Sequence, residues 1–153
     1  MRNCILVLAM LTFISCGSYK GLKKVSYKAN TYENPQESTV FNLLIPKGYK
    51  KDVIEFDHSL ESRFTYDDES IIFLTNDKWS ASRINDKNRL DKEVQDKLLH
   101  RNATTDSIYL SGQQKDGRYW KENVLNDVVV GYLNVPKERK AEFDRAIASI
   151  VRE

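Results

Sequence analysis

VIEFDHSLESRFTY, residues 53–66, carries the clearest period in the chain. Ile54, Phe56, His58, Leu60, Phe64 and Tyr66 fall on even positions, and Val53, Glu55, Asp57, Glu61, Arg63 and Thr65 on odd ones. Successive side chains point to opposite faces of a strand, so this pattern predicts strand with one apolar and one wet face. The stretch is long for a single strand, and a bend or tight turn is expected at 57–59.

Working outward, Phe41, Leu43 and Ile45 alternate with Val40, Asn42 and Leu44, which predicts a strand over 39–45 that Pro46 stops. Downstream, the Asp67-Asp68-Glu69-Ser70 turn leads into Ile71, Ile72, Phe73 and Leu74, a continuous apolar run suited to an inner strand covered on both faces. Residues 76–88 read as loop around Trp79. Over 86–100 the period becomes helical, with Leu90, Val94 and Leu98 recurring every four residues and Glu93 placed to pair with Lys97.

A meander is expected next, with strands over 106–114, 118–124 and 128–133. The first pair flanks Lys115-Asp116-Gly117, and an Asp-Gly pair between strands is a strong hairpin signal. A two-residue Asp116-Gly117 loop sets Gln113 opposite Trp120 and Tyr109 opposite Val124. Pro136 opens a closing helix with Phe143, Ile147 and Ile150 on one face and the small Ala141 and Ala146 alongside. The expected fold class is therefore α+β: one antiparallel sheet of about five to seven strands, with two main helices at about 86–100 and 136–151 packed on it. The element order, with FNLLIPKGY at 41–49 and the helix after GYLNVP at 131–136, resembles the Mog1/PsbP-like domains. That family includes exported lipoproteins and binding modules, and the resemblance carries over no functional residue.

The other informative stretch is MRNCILVLAMLTFISC, residues 1–16. Arg2 gives a basic start, Cys4 to Ile14 is an uncharged run, and polar residues follow Cys16, which is the layout of an export signal. The apolar run is too short to span a bilayer, which takes roughly 20 apolar residues. Phe13-Ile14-Ser15-Cys16 resembles the processing site of bacterial lipoprotein precursors. Ser15 and Cys16 suit that pattern, whereas Phe13 stands where Leu is commonest and Ile14 where a small residue is usual. The resemblance implies cleavage before Cys16, a diacylglyceryl group on its sulfur, acylation of its new amino group, and attachment to a membrane by the lipid alone. It divides the chain into a signal peptide (1–15), a lipidated cysteine and tether (16–37) and one α+β domain (38–153). The tether is expected to add one short edge strand at about 25–29. Gly17 and Ser18 lack the Asp that retains some lipoproteins at the inner membrane, so the outer membrane is the expected location.

Of the 24 Lys and Arg only Arg2 lies before Cys16, so 23 basic residues stand against 22 acidic ones in residues 17–153, a formal charge of +1. Such balance gives no electrostatic basis for binding nucleic acid. Cys4 leaves with the signal and Cys16 takes the lipid, which excludes disulfides, thiol catalysis and cysteine metal sites in the domain.

Catalytic patterns are weak. His58 falls on the apolar parity of its strand, and His100 ends the expected helix, where a cation suits the dipole. No HExxH spacing joins them, Asp67, Asp68 and Glu69 lack the calcium-loop offsets, and neither a GxSxG elbow nor a nucleotide fingerprint occurs. No cofactor, metal or catalytic residue is assigned. The best candidate contact residues are Tyr109, Arg118, Tyr119 and Trp120, because aromatics with Arg anchor protein interfaces. The competing reading of Trp120 is core beneath the closing helix. The leading expectation is a lipid-anchored envelope binding or scaffold module with a protein partner. The alternatives are an immunity or exclusion protein that neutralises a toxin or phage, and a small envelope hydrolase using His58 with an acid near Asp57 or Asp67.

Overall fold

The computed structural model describes residues 21–30, 38–56, 59–76, 107–125 and 128–153. In chain order these form β1 (Leu22–Asn30), β2 (Ser38–Pro46), β3 (Tyr49–Phe56), β4 (Ser59–Tyr66), β5 (Ile71–Thr75), β6 (Ile108–Gln113), β7 (Tyr119–Leu125) and β8 (Val128–Val135). A 3₁₀ turn (Lys137–Arg139), helix α1 (Lys140–Ala148) and β9 (Val151–Arg152) follow. The strands make two antiparallel sheets, one ordered β1-β2-β9 and the other β3-β4-β5-β8-β7-β6.

The α+β expectation with two main helices is thereby corrected. Among the described residues the chain is mostly strand in two sheets, and α1 is the single α-helix. The expected 86–100 helix lies outside the described residues. The closing helix is shorter than the 136–151 expected, because the open edge of β2 captures the end of the chain. Leu44 N donates to Ser149 Oγ (2.8 Å), whose hydroxyl donates to Ala146 O (2.6 Å), and Glu153 N donates to Val40 O (2.9 Å). Pairing of Phe41 with Arg152 and Asn42 with Val151 completes β9. A strand edge with unpaired backbone groups outbids three more residues of frayed helix.

Residues 53–66 divide into β3 and β4, with Phe56 opposite Ser59. That reversal flips the parity: Ile54 lies across from Glu61, while Lys51 and Tyr49 lie across from Phe64 and Tyr66. The even positions are thus core-facing in β4 but not in β3, and Val53 is left 58% exposed. β1 is longer than the edge expected at 25–29, because Val25, Tyr27 and Ala29 also alternate, and Tyr27 and Ala29 are buried.

The inner face of the six-stranded sheet packs against the β1-β2-β9 sheet and α1. One core joins Tyr27, Phe41, Leu43 and Ile45 to Phe64, Tyr66, Ile72, Leu74, Val130 and Tyr132, with Phe143, Ala146 and Ile147 from α1. Phe143 meets Tyr66 and Tyr132 edge-on, at centroid distances of 5.2 Å and 5.9 Å. Tyr27 OH donates to Leu60 O (2.8 Å) and Tyr66 OH to Pro46 O (2.9 Å), which pins the two layers together. The outer face is covered too. Phe73, Val124 and Val129 are buried there, as the continuous run 71–74 predicts for an inner strand. Glu61, assigned to the wet parity, is fully buried on this face, where its carboxylate accepts from Arg63 Nε (3.0 Å) and Nη2 (2.8 Å).

Candidate binding surface

The β6–β7 hairpin turns through Lys115, Asp116 and Gly117, one residue more than the Asp-Gly reading. Gly117 takes φ 85°, Gly117 N donates to Gln114 O (3.0 Å), and Gln114 N donates to Arg118 O (2.7 Å). A glycine in the left-handed region closes a three-residue loop as readily as a two-residue one. Consequently Gln113 lies opposite Tyr119 and Tyr109 opposite Asn123, rather than opposite Trp120 and Val124.

The four contact candidates separate. Trp120 is buried (5% exposed) with Leu110 on the outer face, the side away from α1, and not beneath the closing helix. Gly112 is small for this reason: a Cβ there would stand 2.7 Å from Trp120 Nε1. Arg118 is a clamp. Its Nη1 donates to Asp68 O and Asn134 O, both at 2.7 Å, tying the β4–β5 turn to the end of β8. Asn134 holds φ 57°, uncommon without glycine, where the β7–β8 register slips between Tyr119 and Lys121. Gln114 Nε2 also secures it, donating to Asn134 Oδ1 (2.9 Å).

Tyr109 and Tyr119 remain on the inner face, where the covering layer stops at β7. Tyr109 is 66% exposed, with Ser111 and Gln113 exposed beside it. Tyr119 is half-buried, and the Lys140 ammonium lies 5.6 Å above its ring. One row inward, Asp144 Oδ1 accepts from Lys121 Nζ (3.1 Å) and Tyr132 OH (3.1 Å), and Asp144 Oδ2 from Lys140 Nζ (2.6 Å). Burial works against the Asp144 carboxylate, but the hydrogen bonds from Lys140 and Lys121 outweigh it and hold its pKa below the ordinary range. Burial, reinforced by Asp144, pushes the Tyr132 phenol well up.

Beside this network lies Asn123, 8% exposed, whose Oδ1 is buried and meets no hydrogen-bond donor among the described residues. Leaving a buried acceptor unmet costs roughly 1–3 kcal/mol. Asn123 and Asp144 were not among the sequence candidates. Asn within a strand is disfavoured, and that was the available signal for Asn123.

At the end of the molecule marked by the β4–β5 turn, Asp68 pairs with Arg139 Nη1 (3.0 Å) and accepts from Ser70 N (3.0 Å). Burial raises its pKa, but these hydrogen bonds prevail and lower it. Arg139 also meets Glu142 (3.0 Å) and stacks over Tyr66 and Phe143 at 4.8 Å and 4.7 Å. Asp68 therefore serves the turn and the core edge. Cys16, Asp57, His58 and His100 lie outside the described residues. Among those residues no helix is long and apolar enough to cross a membrane. No family model, curated protein or solved structure matches the chain.

Proposed function

We propose that this chain is a lipid-anchored binding module of a bacterial cell envelope, attached through Cys16 and engaging a protein partner through the inner face of β6 and β7. The observation that carries the binding role is Asn123: a buried acceptor that meets no donor among the described residues, across the ladder from a tyrosine that is largely exposed. A partner that supplies an N–H or O–H there relieves the unmet acceptor. Tyr109, Ser111 and Gln113 add a phenol, a hydroxyl and an amide, groups that match the donors and acceptors of a polypeptide. Anchorage rests on residues 1–16, and the absence of Asp at positions 17 and 18 favours the outer membrane.

Photocrosslinking in intact cells tests the binding face. A benzophenone side chain at position 109 is expected to give a discrete adduct, which Asn123→Leu reduces. The same group at position 53, on the opposite edge of the sheet, gives no protein adduct. Equal adducts at both positions, or none at 109, contradict the assignment.

A further inference from the structure

The edge formed by β1 and β3 is strongly basic. Lys23, Lys24, Lys28, Lys47, Lys50 and Lys51 are all exposed there, against Asp52 and Glu55, on the two strands and the β2–β3 turn. The other 17 basic and 20 acidic residues after Cys16 sum to −3, so the chain's excess of positive charge is carried by β1, β3 and the turn before β3. β1 and β3 come together at one end, where Lys23 Nζ of β1 lies 5.6 Å over the Tyr49 ring of β3 and Lys47 N, in the β2–β3 turn, donates to Gly21 O (2.9 Å) beside the start of β1. Lys51 Nζ lies 5.8 Å over the Phe64 ring, so two of these ammonium groups sit over aromatic faces at the edge while their side chains stay exposed. Val53, 58% exposed, stands on the same face as Lys51. Lys24 is shared with Glu153 (3.2 Å), and the other five lysines have no such salt bridge among the described residues.

Tether length adds the second constraint. Resting on attachment at Cys16, only residues 17–21 separate the lipid from β1, and about 3.4 Å per residue gives a reach of roughly 17–20 Å. The chain enters the domain on this basic edge, beside Lys23 and Lys47. We infer that the β1–β3 edge lies against anionic lipid headgroups and sets the orientation of the domain. Lysines near an anionic bilayer each strengthen attachment by roughly fivefold, an attraction that salt screens within about a Debye length. β6 is the opposite edge of the sheet, five strand spacings or about 24 Å from β3. The β6 edge, which carries Tyr109, is then the one farther from the bilayer.

The test uses the protein extracted from membranes with its lipid, reconstituted into vesicles of phosphatidylcholine alone or mixed with phosphatidylglycerol, and probed by lysine acetylation with mass-spectrometric readout. Lys23, Lys28, Lys50 and Lys51 are expected to react at least about fivefold more slowly on the anionic vesicles, the factor one headgroup contact supplies. High salt restores their rates, and Lys115 and Lys137 are unaffected. Equal rates on both vesicles, with the acyl mass present on Cys16, overturn the orientation alone. Absence of acyl mass removes the anchor, and the orientation with it. Protection in whole cells but not on anionic vesicles assigns the edge to another envelope component and overturns the lipid reading.

Discussion

Replacing Arg118 separates a structural clamp from a contact residue. The Nη1 group donates to Asp68 O and Asn134 O at 2.7 Å, and the second of these carbonyls belongs to a residue at φ 57°. Hydrogen bonds from a charged donor contribute about 1.5–3 kcal/mol each. Because Arg118 is only half-buried, the lower end applies, and ordering its long side chain offsets up to about 2 kcal/mol of the total. Arg118→Ala is therefore expected to cost about 2 kcal/mol. With a urea dependence of roughly 1–3 kcal/mol per molar, the unfolding midpoint falls by about 1 M. Arg118→Lys, which lacks the planar fork, is expected to recover about half of the loss. Urea titration followed by tryptophan fluorescence reads both. The crosslink from position 109 should survive at denaturant-free conditions, since Arg118 is not part of the exposed face. An unchanged midpoint for Arg118→Ala, or a lost crosslink with an unchanged midpoint, refutes the clamp.

Gly131→Ala sets a methyl against Lys121 O and, at 2.6 Å, against Phe73 Cζ, so it is expected to lower stability by about 3 kcal/mol in the same titration. Phe143→Ala empties the space between Tyr66 and Tyr132 and should cost about 3–5 kcal/mol, with thermal unfolding by circular dichroism as the measure. Burial raises the folded pKa of Tyr66 and Tyr132 above the ordinary value near 10, so their contribution is complete below that pH and is lost as pH rises above it. Tyr132→Phe should flatten the alkaline limb of a stability–pH curve. Asp144 has a lowered folded pKa, so its contribution is present above the ordinary value near 3.9 and is lost as pH falls through the folded value. Asp144→Asn should remove that part of the acid limb.

The inner strand over 71–74 and the hairpin at Asp116-Gly117 were legible because a continuous apolar run and a turn dipeptide act locally. The closing helix reads as longer than it is because its end is decided by β2, more than a hundred residues earlier, through Leu44 N and Ser149 Oγ. The hairpin register differs by one residue from the sequence reading because Gly117 serves either loop, and that residue changes the partner of Tyr109 from Val124 to Asn123. Glu61 reads as a wet-face residue, yet it is buried with Arg63 closing on it; period-two alternation assigns faces but does not say which of them is covered. The separated charge of the β1–β3 edge was hidden by a total near zero, which says nothing of where the charges gather.

Intact mass spectrometry of the protein extracted from membranes bears most directly on the anchored binding module. Attachment at Cys16 predicts a chain that begins at that residue and carries the added mass of a diacylglyceryl group and an N-acyl chain, with Cys16→Ala remaining unprocessed and unacylated. A wild-type chain with residues 1–15 still present, or one that begins near Gly17 without lipid, contradicts it.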